Sequence, residues 1–132
     1  MMFDGIDLLA VLAAAVASFA AGAVWYGVLG KVWMRAARLD EADIKPRPLL
    51  FLATFVCQLV MALIFAGIIY HAGPMTVSNG ILSAVLVWTG FLATSLIVNH
   101  RFQGSSWALT LIDGGHWLAV LLVQGIVLGL MG

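Results

Sequence analysis

Leu111-Ile112-Asp113-Gly114-Gly115-His116-Trp117 sets two ionisable side chains three positions apart, near the start of the last apolar run of the chain. A carboxylate at the centre of a bilayer costs about 2.5–3.5 kcal/mol on insertion scales, so it faces protein or a cavity rather than lipid. The remaining apolar runs are therefore read as the wall around Asp113 and His116.

Composition supports that reading. The 132 residues are 64% hydrophobic and 9% charged, and the mean hydropathy is +1.11. Soluble domains carry about a quarter charged residues. Net charge is zero and no basic patch is interleaved with aromatics, which argues against a nucleic-acid partner. Cys57 is the single cysteine, so no disulfide framework and no CxxC metal site can form. The chain reads as an integral membrane protein in contact with the lipid bilayer.

Hydropathy places four transmembrane helices at about 8–29, 49–70, 80–99 and 108–131, each close to the roughly 20 residues a span needs. The first is preceded by Asp4 and Asp7 rather than by Lys or Arg, unlike a cleaved signal peptide. Ala10, Ala14, Ser18 and Gly22 recur every four residues along it, a spacing that lets helix backbones approach closely. Gly125 and Gly129 repeat that spacing in the fourth. Both stripes predict a homo-oligomer.

Between the first two spans, Lys31, Arg35, Arg38, Lys45 and Arg47 alternate with Asp40, Glu41 and Asp43. Trp33, Met34 and Ala37 share one side of a short helix whose other side is basic, the pattern of an amphipathic helix lying on headgroups. Asp40 is placed to cap a further turn through Asp43. Five of the six basic residues lie in this connection, and the sixth, Arg101, lies in the His100–Trp107 loop on the same side. The positive-inside rule makes that side cytoplasmic and leaves both termini outside, in a plasma or bacterial inner membrane. The expected fold is an all-α antiparallel bundle in a single transmembrane domain over residues 1–132.

At 100° per residue, Asp113, His116, Trp117, Val120 and Gln124 share one arc of the fourth helix. Asp7, Ala14, Ser18, Ala21 and Trp25 line up on the first, and Thr54, Gln58, Met61 and Phe65 on the second. Ala84, Trp88, Phe91, Ser95 and Asn99 line up on the third. The mixed faces meet other helices and the aliphatic faces meet lipid. By depth, Asp113, Trp25, Tyr26, Ser95 and Asn99 fall within one or two turns of one level, with His116 and Gln58 about 12–14 Å in from the cytoplasmic ends. They are read as a polar chamber open to the cytoplasm, with Asn99 and Tyr26 at its mouth. Hydrogen-bonded glue between helices is the simpler account of Ser18, Thr54 and Ser95.

Catalytic and metal chemistry find little support. Asp113 and His116 supply at most two ligands, one short of a typical catalytic zinc site, and His71 and His100 fall in loops on opposite faces. No metal, cofactor or catalytic residue is expected. No nucleophile, base and orienting group can be assembled, so the reading leans away from an enzyme.

Val24-Trp25-Tyr26, Gly30-Lys31-Val32-Trp33-Met34 and Leu39-Asp40-Glu41-Ala42-Asp43-Ile44 resemble a family of small bacterial membrane proteins. So do Phe91-Leu92-Ala93-Thr94-Ser95-Leu96, Asn99, Arg101-Phe102-Gln103-Gly104 and Leu111-Ile112-Asp113-Gly114-Gly115. These segments are similar to domain-of-unknown-function family 1761. That resemblance implies four spans over nearly the whole chain and no activity. The reading adopted is an oligomeric transport or permeation unit for a small solute or a proton, with a polar chamber around Asp113. A structural or regulatory membrane module is the alternative, and an intramembrane enzyme the third.

Overall fold

The computed structural model describes residues 5–40, 42 and 47–132, and every regular element among them is a helix. Four helices are long and apolar enough to cross a membrane: α1 (Leu8–Ala37), α2 (Pro48–Ala72), α3 (Val77–Phe102) and α4 (Trp107–Met131). The chain is a multi-pass membrane protein.

Local chemistry fixes the ends. Asp7 caps α1 by accepting from the Leu9 N–H at 2.9 Å. Thr76 and Ser106 cap α3 and α4 through the N–H groups of Asn79 and Leu109, each at 3.1 Å. These bonds satisfy donors that a helix start leaves without partners. Pro48 opens α2, where its missing N–H costs nothing. Arg38 adopts the left-handed conformation that ends α1.

The basic connection differs from expectation. Lys31 to Ala37 is not a separate helix on the headgroups; it continues α1 without a break. Nothing in Lys31-Val32-Trp33-Met34-Arg35-Ala36-Ala37 breaks a helix, and Trp33 finds an intramolecular acceptor on α4. The turn read from Asp40 to Asp43 lies outside the described residues. His71 and His100 fall in the last turns of α2 and α3, not in loops. His100 is buried there against Thr110, with 2.8 Å between Nδ1 and Oγ1.

Contacts pair the end of α1 with the start of α4. Along α1 and α4 they run from Ser18 with Gln124, through Tyr26 with Asp113, to Ala36 with Ser106. Apart from Val11, the buried residues of α1 are small: Ala10, Ala14, Ala15, Ser18 and Gly22. The stripe expected to join two copies is thus spent inside one chain. Gly125 and Gly129 are spent likewise. A Cβ on Gly125 would lie 2.5 Å from the Gly80 carbonyl oxygen, and one on Gly129 2.5 Å from the Val77 nitrogen. Only glycine lets α3 and α4 meet backbone to backbone here.

The third span carries a wide turn, a π-helical segment from Trp88 to Ala93. Such a turn closes i to i+5 and takes up about one extra residue. Beyond it the face toward the bundle carries Leu92, Leu96 and His100, while Phe91, Ser95 and Asn99 are exposed.

Candidate functional site

Asp113 sits in a clamp of aromatic donors. The Tyr26 hydroxyl donates to Oδ1 at 2.6 Å, and the Trp33 indole N–H donates to the same oxygen at 3.2 Å. Trp25 donates to the Ile112 carbonyl at 3.0 Å and Trp88 to the Gly114 carbonyl at 2.8 Å. Three of the five tryptophans therefore aim their N–H groups at residues 112–114. A buried indole needs an acceptor, and the helix carbonyls beside Asp113 provide two.

The glycines of Asp113-Gly114-Gly115 admit these rings. A Cβ on Gly115 would lie 2.7 Å from the Trp25 ring, and one on Gly114 would touch Trp88 at 3.9 Å. Tyr26 and Trp33 meet edge to face with centroids 6.0 Å apart, a favoured aromatic geometry. One turn deeper, His116 packs against Tyr26 at 4.8 Å and Trp117 at 4.6 Å between centroids. Gly22 leaves room for it: a Cβ there would lie 2.7 Å from His116 Nε2. His116 is 5% exposed, and its Nδ1 has no hydrogen-bond partner among the described residues.

Beside the clamp, α1, α2 and α4 line an open-sided cavity of about 530 Å³. Phe19, Gly22, Ala23, Tyr26 and Gly27 line it from α1, Phe51, Thr54 and Gln58 from α2, and His116 and Trp117 from α4. Its size falls within the range that holds small ligands. Tyr26 belongs to both cavity and clamp, with its hydroxyl on Asp113.

Below the cavity lies a polar knot. Ser18 Oγ is 2.9 Å from Gln58 Oε1 and accepts from Gln124 Nε2 at 3.1 Å. Gln124 Nε2 also donates to the Gln58 carbonyl at 3.1 Å. All three side chains are buried. The knot ties α1, α2 and α4 together at one level.

Of the residues singled out in the sequence, the structure brings Asp113, Tyr26 and Trp25 into the clamp, and Tyr26, His116 and Gln58 around the cavity. Ser95 and Asn99 lie elsewhere. They line an outer groove with Thr94 and Val98, and the Ser95 hydroxyl donates back to the Phe91 carbonyl of its own helix. The wide turn is the physical reason: reading 100° per residue through it rotates the later positions off their true face. Among its basic neighbours Trp33 has the sequence pattern of a headgroup anchor, yet it lies in the clamp. Its spacing of seven from Tyr26, two helical turns, was the signal that could have placed it here.

The sequence model of the family described as "Protein of unknown function (DUF1761)" matches residues 9–129, and the chain belongs to that family. No curated protein and no solved structure matches it.

Proposed function

Because membership of this family assigns no activity, we propose a function from the site: the chain is a membrane permeation unit for a proton or a small solute. In this reading the cavity is the vestibule, and Asp113, which lies behind the Tyr26 hydroxyl rather than on the cavity wall, is the group that the path reaches through Tyr26. The four spans alternate in direction across a plasma or inner membrane, with the cavity end cytoplasmic. The observation that carries the proposal is the cavity beside the clamp, because it gives a buried histidine and a hydrogen-bonded carboxylate an approach route through Tyr26. An intramembrane acid is by default a candidate for a solute or proton pathway. Four spans enclose little, so the unit acts as a homo-oligomer; the close-packing stripes are used within the chain, and copies would meet through other faces.

A second reading has its own observation. Tyr26 and Trp33 both donate to Asp113, and Ser18, Gln58 and Gln124 tie three helices together in a separate buried knot, as a rigid structural or regulatory module requires. Vesicles holding a trapped pH-sensitive dye and given an acid pulse separate the two readings. The permeation reading expects wild-type protein to speed equilibration and Asp113→Asn to lose that effect while folding and assembling normally. Equal rates for the two proteins would favour the structural module.

A further inference from the structure

The cavity spans a defined depth. Phe51 lies three residues into α2 and Gln58 ten, so its wall covers about 10 Å along the helix at 1.5 Å per residue. The upper walls are aromatic and apolar, and Gln58 and His116 form the inner end. Residues four apart share a helix face. Lys31 therefore stands one turn beyond Gly27 on α1, and Arg47, in extended conformation, is the residue from which α2 starts, both exposed at the same end of the bundle. Two cations flank the mouth of an apolar slot. Asp113, the nearby acid, is turned onto Tyr26 and Trp33 and does not line the slot.

We propose that this slot binds a single-chain anionic amphiphile, with its acidic head between Lys31 and Arg47 and its apolar chain running between α1 and α2 toward Gln58 and His116. Charge complementarity selects the head, and the aromatic walls bury the chain. Lys and Arg stems extend along apolar surface while their charges stay at the headgroup level, which suits this role. The proposal goes beyond the permeation reading: it concerns a ligand held in the same cavity rather than the passenger, and binding at equilibrium does not require that anything cross the membrane.

Quenching of the intrinsic tryptophan fluorescence tests it, since Trp117 lines the slot. Purified protein in mild detergent is titrated with a bromine-labelled long-chain fatty acid, the bromoalcohol of equal length and a brominated phosphatidylcholine. Saturable quenching by the acid, at least tenfold weaker for the alcohol and the phospholipid, is expected. Lys31→Gln with Arg47→Gln should reduce the acid to the level of the alcohol. Gly27→Phe should abolish binding, because a side chain there meets nothing within 4 Å and projects into open space. Equal quenching by acid and alcohol, or by the phospholipid, would overturn the proposal, as would unchanged binding in the double variant. Failure of the vesicle assay with binding intact would remove permeation alone.

Discussion

Asp113 takes both its aromatic donors on one oxygen, so the two can be separated by substitution. Tyr26→Phe removes the bond at 2.6 Å and keeps the ring. A hydrogen bond to a charged group contributes about 1.5–3 kcal/mol, so a clear fall in the melting midpoint in detergent is expected. Trp33→Phe removes only the longer bond at 3.2 Å and should cost less. Reversal of that order would mean that Trp33, not Tyr26, holds the carboxylate. Gly22→Ala sets a methyl 2.7 Å from His116 Nε2. Overpacking of this kind costs about 1–3 kcal/mol, and His116→Ala should relieve it; no relief would show that the ring does not occupy that space. At this scale Asp113, Tyr26 and Trp25 were legible because an acid inside an apolar run demands partners. Trp33 was not, because the basic residues around it suggested the membrane surface.

Helix pairing is decided by glycine rather than by bulky side chains. Gly125→Ala drives a methyl onto the Gly80 carbonyl and should lower stability and expression strongly. Gly90→Ala lies in open space on α3 and should leave the protein folded. Were Gly125 and Gly129 a dimer face, Gly125→Ala would instead change the oligomer mass at constant stability. The sequence showed four spans and the inward faces of α1, α2 and α4 correctly, since those helices keep the regular period. The face of α3 was legible only as far as Trp88. A single wide turn displaces Ser95 and Asn99, and nothing in Trp88-Thr89-Gly90-Phe91-Leu92-Ala93 announces it except Gly90 in mid-helix.

For the whole molecule, the proposed topology rests on charge. Lys31, Arg35, Arg38, Arg47 and Arg101 fall at one end of the described helices, and Lys45 lies between α1 and α2 in the sequence. A periplasmic reporter fused after Gly132 should therefore be active in a Gram-negative host; activity of a cytoplasmic reporter at that position would reverse the orientation. If the cavity beside the Asp113 clamp is the vestibule proposed, water reaches it from the cytoplasm whenever no amphiphile occupies it. Ala23 lines that cavity and is exposed, and Cys57 is the one native cysteine to remove. The most direct test is reaction of Ala23→Cys, in a Cys57→Ser background, with a membrane-impermeant thiol reagent that attacks only the hydrated thiolate. Labelling in inside-out vesicles, with protection by Gly27→Phe, is the predicted result. An Ala23→Cys that stays unlabelled from both sides, in folded protein, would contradict the account.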